Sequence, residues 1–256
     1  MAESIPSPEK VLHIAAAALE THFAGASAAL VAGSLIRGDG SATSDIDLVV
    51  LYSELPQARR ESFLLEGIPV ETFVHDAATL RWFLREDIRS GRPALLRMLA
   101  DSQIIGTEPQ MATPWQAEAQ SLLHQGPDAL SVEQLNRLRY QITDKIDDLR
   151  GAKTASELLA IGTSLYEPLA GLMLRGRGSW AANGKWIPRL LVKLDAQLAS
   201  EFEAAFQQLF RDQDASAVIA FAEKELARYG GPLFAGYRSD APAEWRIAAK
   251  AQFFDE

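Results

Sequence analysis

The sequence predicts an α+β domain followed by a helical domain, and three observations lead to this prediction. Short apolar runs of strand type alternate with helical segments up to about residue 107. Beyond the stretch TEPQMATPWQ, which begins at Thr107, the strand-type runs disappear and only helical periodicity continues. The proline-containing residues 106–114 mark the change. The predicted division therefore separates residues 1–110 from residues 111–256.

The first region contains two predicted helices and four predicted strands. Ser7 or Pro8 can start the first helix, which runs to about Phe23, and Asp76 and Gly91 can cap the ends of the second. The second helix is DAATLRWFLREDIRSG (76–91), and the strands are AALVAG (28–33), DIDLVVLY (45–52), IPVETFV (68–74) and SQIIGT (102–107).

The second region is predicted to be helical throughout, apart from a glycine-rich loop at residues 176–186. In the segment 131–150, apolar residues recur at spacings of three and four, which is typical of a helix with one buried face. The predicted helical segments of this region are 131–150, 156–174 and 187–229.

Composition excludes several classes of function. The 256 residues include no cysteine, which excludes disulfides, thiolate zinc sites and a cysteine nucleophile. A net charge of −9 argues against binding to long nucleic acids, which requires a basic surface. The N-terminus lacks the basic segment of a signal peptide, and no apolar run approaches the ~18 residues of a membrane span. We therefore expect a cytoplasmic protein that does not bind membranes.

Two aspartates at the start of a predicted strand are the most informative feature. Side chains alternate along a strand, so Asp45 and Asp47 share one face, with Cα atoms about 6.5 Å apart. Mg²⁺ prefers oxygen ligands and is usually held by one or two carboxylates together with substrate phosphates. A solvated edge strand with two exposed acids is the alternative interpretation.

A turn suited to phosphate precedes these acids. Gly33 permits close backbone approach, Ser34 can cap the short helical turn at residues 35–37, and free N–H groups at a helix start attract phosphate oxygens. Arg37 could add a forked contact to a phosphate, or could instead pair with Asp39 on the surface. A phosphate-binding turn followed by paired carboxylates is the arrangement that a nucleoside triphosphate with Mg²⁺ requires.

Glu71, on the following predicted strand, is the candidate third acid. If that strand lies beside residues 45–52, the Glu71 carboxylate can approach both aspartates. Two metal ions close together can stabilise the attacking and leaving oxygens of a displacement at phosphorus. Glu71 could then be a metal ligand, the base that accepts the acceptor's proton, or both.

Gly33-Ser34, ten intervening residues and then Asp45-Ile46-Asp47, with an acid on a following strand, resemble the polymerase-β-type nucleotidyltransferase superfamily. Within it, the chain is similar to small bacterial aminoglycoside and lincosamide nucleotidyltransferases with a helical C-terminal domain. The resemblance is specific over roughly residues 28–75. It implies a mixed sheet flanked by helices, Gly33 and Ser34 on the triphosphate, and Asp45, Asp47 and Glu71 at two Mg²⁺ ions, which Mn²⁺ could replace.

The resemblance also implies an activity and partners. Such enzymes transfer a nucleoside monophosphate from a nucleoside triphosphate to an acceptor hydroxyl and release pyrophosphate. We expect residues 1–110 to be catalytic and residues 111–256 to bind a small-molecule acceptor, such as an aminoglycoside-like antibiotic. ATP is the favoured donor, although no residue distinguishes it from CTP, GTP or UTP, and a homodimer would be consistent with this superfamily.

Further residues have both a functional and an ordinary interpretation. Lys185, in the segment NGKW beside Trp186, is a candidate nucleotide-binding residue, or a solvated lysine. Tyr140, Asp144 and Asp148 share a helical face that could bind a cationic acceptor or simply be a solvated flank.

Two other functions are consistent with the same motif. One is a regulator that adds AMP to a protein hydroxyl, as antitoxin-like members of the superfamily do. The other is a nucleotide-binding sensor without turnover, which the complete set of three acids argues against.

Overall fold

A computed structural model describes residues 5–242 and 245. The chain forms two compact units. The first contains the described residues up to Ala129 together with Arg177–Ala182, and the second contains Leu130–Gly176 and the described residues from Asn183 onward.

The first unit is built on a five-stranded sheet. Its strands are β1 (Ala28–Ala32), β2 (Ile46–Leu51), β3 (Arg59–Leu65), β4 (Ile68–His75) and β5 (Gln103–Ile105). Their order across the sheet is β3-β4-β2-β1-β5. The pair β2 and β4 is parallel, and the other neighbouring pairs are antiparallel, so the sheet is mixed. The predicted α+β class is confirmed.

Helices cover both faces of this sheet. They are α1 (Pro8–His22), α2 (Ser34–Arg37), α3 (Ala77–Ser90), α4 (Ala94–Ala100) and α5 (Thr113–Gln125). One apolar core joins one face of the sheet to α1 and α2, and a second joins the opposite face to α3, α4 and α5. All five residues of β1 are buried because both of its faces are covered.

The cap signals predicted from the sequence are present. The Ser7 hydroxyl accepts a hydrogen bond from the Lys10 amide at the start of α1. Asp76 and Thr79 form a reciprocal capping box at the start of α3, which fixes this helix directly after β4. Gly91 ends α3 in the left-handed conformation.

The strand β3, the helices α4 and α5 and the 3₁₀ helix at Pro109–Met111 were not predicted from the sequence. β3 is an edge strand whose residues are exposed or half-buried. Its sequence, RRESFLL, does not alternate between apolar and polar residues, so it gives little strand signal. α5 has a proline in its first turn, where the missing N–H costs no helical hydrogen bond, and the sequence analysis had placed this segment at the domain boundary.

The division between the units differs from the one drawn at residue 110. α5 belongs to the first unit, where the side-chain amides of Gln116 and Gln120 donate hydrogen bonds to the carbonyls of Ser102 and Ala100. Residues 177–182 also belong to it, although the helical segments on either side belong to the second unit. There the Trp180 indole N–H donates a hydrogen bond to the carbonyl of Leu123.

The second unit is helical, as predicted. Its helices are α6 (Val132–Gly151), α7 (Ala155–Arg175), α8 (Trp186–Leu194), α9 (Ala196–Asp212) and α10 (Ser216–Ala227). One continuous apolar core joins them, and it includes the rings of Phe202 and Phe206, which are tilted by 55° with their centres 4.8 Å apart. None of the helices in residues 5–242 has both the length and the apolar character needed to cross a membrane.

Candidate functional site

The parallel pairing of β2 with β4 brings the predicted acids together. In this register Asp47 lies directly beside Glu71, and Asp45 lies one residue before the first residue of β2. β2 is an internal strand between β4 and β1. The alternative interpretation of Asp45 and Asp47 as part of a solvated edge strand is therefore wrong.

The three carboxylates form one cluster. One oxygen from each of Asp45, Asp47 and Glu71 can be chosen so that all three atoms lie within 4.8 Å of one another. Asp45 is exposed, whereas Asp47 and Glu71 are half-buried. A set of oxygen donors that opens to solvent on one side suits a hard divalent cation that also keeps water or phosphate ligands. The residues present therefore fit Mg²⁺ or Mn²⁺.

Burial and the neighbouring carboxylates both disfavour the charged form of Asp47. Burial, followed by the negative charges of Asp45 and Glu71, raises the pKa of Asp47 from 3.8 to about 6. Arg37 and Arg60 act in the opposite direction but do not cancel this rise. The negative charge of the cluster therefore destabilises the folded protein, and a bound cation would remove this destabilisation.

The raised pKa of Asp47 predicts how the stability of the metal-free protein depends on pH. The folded state binds the Asp47 proton more tightly than the unfolded state, so stability should fall as pH rises from 3.8 to about 6. We expect Asp47→Asn to raise the free energy of unfolding at neutral pH by on the order of 1–2 kcal/mol, and to have little effect below the ordinary pKa of aspartate. Urea denaturation in a chelating buffer across this pH range measures the difference. A loss of stability in the variant at neutral pH would contradict the prediction.

Gly33 brings the predicted phosphate turn against the acids. Its φ of 96° and ψ of 176° lie in a region that residues with a side chain rarely adopt. A Cβ atom at this position would lie 2.8 Å from Asp47 Oδ2 and 3.4 Å from the Asp47 amide nitrogen. Gly33 is therefore required both by the backbone conformation and by the close approach of the Asp47 carboxylate.

Hydroxyl groups connect this turn to the loop that leads into β2. The Ser34 Oγ donates a hydrogen bond to the Ser44 Oγ at 3.0 Å, and the Ser44 Oγ also accepts one from the Ser41 amide at 2.9 Å. Ser44 directly precedes Asp45. The Ser34 side chain thus links the two halves of the motif that the sequence analysis identified.

Two arginines lie near the turn. Arg37, the last residue of α2, has its guanidinium 3.4 Å from the Asp39 carboxylate, as one of its two interpretations predicted. Its positive charge also acts on Asp47. Arg97, on α4, is half-buried, and burial lowers its pKa, with Arg37 acting in the same direction and Asp101 in the opposite one. Arg97 could not be identified from the sequence, because its local pattern does not predict α4.

Arg60 is a second charged residue that the sequence analysis missed. It lies on β3, and its Nη2 donates a hydrogen bond to Glu71 Oε1. Only the position of β3 beside β4 reveals this pair, because the sequence separates the two residues by a turn.

The remaining candidates lie in the second unit. Lys185 immediately precedes α8, and Trp186 is the first residue of this helix. The guanidinium of Arg189 lies over the Trp186 ring, 5.0 Å from its centre. Lys145 donates hydrogen bonds to Asp144 and Asp148, so this face of α6 carries partly neutralised acids. The nucleotide-binding role of Lys185 remains a prediction.

Comparisons with known proteins give likenesses to solved structures. No family model and no curated protein matches the chain. A solved structure, that of a nucleotidyltransferase-like protein from Exiguobacterium sibiricum, aligns with 86% of this chain and 74% of its own, with a TM-score of 0.45 and 12% identity.

Proposed function

We propose that this protein is a nucleotidyltransferase that transfers a nucleoside monophosphate from a nucleoside triphosphate to a hydroxyl of a small-molecule acceptor. The observation that supports this most strongly is the cluster of Asp45, Asp47 and Glu71 in contact with the Gly33-Ser34 turn. Carboxylates that can hold a divalent cation and a turn suited to phosphate lie side by side, which is what a triphosphate with its cation needs.

The proposed reaction is a displacement at the α-phosphorus. The acceptor oxygen forms a bond to this phosphorus, the bond from it to the oxygen bridging to the β-phosphate breaks, and pyrophosphate leaves. The acceptor hydroxyl loses its proton to a base as the new bond forms, and Glu71 is the candidate, as a cation ligand that also accepts this proton. Bound Mg²⁺ would neutralise the charge that develops on the phosphate and leaving-group oxygens.

The chain's own residues would bind and orient the donor. Asp45, Asp47 and Glu71 would hold the cation, and the Gly33-Ser34 turn would lie along the triphosphate. Arg37 and Arg97 carry positive charge near this turn and would bind phosphate oxygens, since a guanidinium offers several donors in a fixed plane. Lys185 is a further candidate for binding the triphosphate.

The substrates are proposed from the motif and from the charge of the chain. We propose ATP as the donor and Mg²⁺ or Mn²⁺ as the cation. We propose a cationic acceptor of aminoglycoside type, because the chain has a net charge of −9. The helical residues beyond the catalytic region would supply acceptor contacts, and a homodimer would be consistent with the proposal.

Transfer of isotopic label tests the proposed reaction. The protein would be incubated with Mg²⁺, a small-molecule extract and each nucleoside triphosphate labelled at either the α- or the γ-phosphate. We expect α-label in a new product and γ-label in pyrophosphate. Transfer of γ-label to a small molecule, or its release as inorganic phosphate, would instead indicate a kinase or a hydrolase.

A further inference from the structure

Glu71 is held from one side by an arginine of the neighbouring edge strand. Arg60 Nη2 donates a hydrogen bond to Glu71 Oε1, and the Ser62 hydroxyl lies 3.5 Å from the same oxygen. Both contacts therefore involve Oε1 and leave Oε2 without a hydrogen bond among the described residues.

The sheet places Glu71 between this arginine and the other acids. β3 lies on one side of β4 and β2 on the other, so Arg60 approaches Glu71 from the side opposite Asp47. Arg60 pairs directly with Phe73 across the two strands, and its guanidinium lies 5.1 Å from the centre of the Phe73 ring. Glu71 and the Phe73 ring thus both contact Arg60 and restrict its position.

We propose that Arg60 is a positioning residue, which binds one oxygen of Glu71 and directs the other toward the cation held with Asp45 and Asp47. This inference rests on the proposed function, because it requires the acidic cluster to bind a divalent cation. Carboxylate ligands of metal ions are commonly fixed by a further hydrogen bond, and loss of such a partner typically costs about 10- to 100-fold in metal affinity or activity.

An ordinary surface ion pair would have a different consequence. The Arg60 side chain is 62% exposed, whereas the Glu71 side chain is only 20% exposed. An ion pair with one partner this exposed contributes about 1 kcal/mol or less to folding. Loss of Arg60 should therefore leave the unfolding transition almost unchanged, and a change in metal binding would report orientation of Glu71.

The experiment measures Mn²⁺ binding to the full chain by the electron paramagnetic resonance signal of free Mn²⁺, without nucleotide. Arg60→Gln removes the charge, and Arg60→Lys keeps it. Arg59→Gln is the matched control, because Arg59 is adjacent on β3 but pairs with Glu61 and lies over the ring of Tyr52. We expect about 10- to 100-fold weaker binding in Arg60→Gln, partial recovery in Arg60→Lys and wild-type binding in Arg59→Gln. In a Glu71→Gln background, Arg60→Gln should have no further effect.

The results that would overturn this inference differ from those that would overturn the proposed function. Wild-type Mn²⁺ affinity in Arg60→Gln would show that the ion pair is incidental. Tighter binding would show that Arg60 competes with the cation. Either result would overturn this inference and leave the proposed function intact. Failure of the unmodified protein to bind Mn²⁺ would contradict the metal site itself, and with it both proposals.

Discussion

Replacement of Asp45 or Asp47 by asparagine is expected to reduce nucleotidyl transfer by at least about 1,000-fold. Each variant removes one negative charge from a cluster whose oxygens lie within 4.8 Å of one another. Stabilisation by a bound metal ion contributes several kcal/mol to such a reaction, and each tenfold in rate corresponds to about 1.4 kcal/mol. Asparagine has nearly the shape of aspartate, so the loss should come from charge and not from packing.

The turnover rate at saturating nucleoside triphosphate and Mg²⁺ measures this effect. Glu61→Gln is a suitable control, because Glu61 is a half-buried acid on β3 that pairs with Arg59 and lies outside the cluster. We expect this control to retain activity. Near wild-type turnover in either aspartate variant would rule out the proposed role of the cluster.

Gly33→Ala is expected to have the second largest effect, on both activity and stability. The left-handed φ of 96° costs a residue with a side chain about 1–3 kcal/mol. The new Cβ atom would also lie 2.8 Å from Asp47 Oδ2, too close for a normal contact. Either the turn or the Asp47 carboxylate must move, and we expect at least about a 100-fold loss of activity, because small displacements of catalytic groups are costly.

Gly38→Ala separates backbone strain from the effect of the contact. Gly38 also has a left-handed φ, of 84°, but a Cβ atom there would have no neighbour within 4 Å. We expect it to lose on the order of 1 kcal/mol in the free energy of unfolding and to keep most of its activity. Urea denaturation and turnover measured on both variants make the comparison. Equal losses of activity in the two variants would contradict a specific role for Gly33.

The central strands and the acidic cluster could be predicted from the sequence, because both depend on local patterns. The alternation of Asp45, Ile46 and Asp47 places the acids on one face of a strand, and the spacing of Glu71 within IPVETFV places it on the corresponding face of another. Parallel pairing of β2 and β4 then brings Asp47 beside Glu71. The sequence could not specify that pairing, but it did specify which side chains would meet if it occurred.

Arg60 and Arg97 could not be identified from the sequence in this way. Arg60 lies on an exposed edge strand with little apolar alternation, and Arg97 lies on the short helix α4. Their positions depend on tertiary packing, not on local periodicity. The same holds for residues 177–182, whose membership of the first unit depends on long-range contacts such as the hydrogen bond from Trp180 to Leu123.

The most direct test of the central claim is the thermal stability of the protein with each nucleoside triphosphate, with and without Mg²⁺, compared with the Asp45→Asn variant. A ligand that binds only the folded state adds about 2.7 kcal/mol at a hundredfold excess over its Kd. Asp45 is exposed, so the variant should fold normally. We expect one nucleotide to raise the melting temperature only with Mg²⁺, and only in the unmodified protein. The absence of any rise, or an equal rise in the variant and without Mg²⁺, would contradict the account.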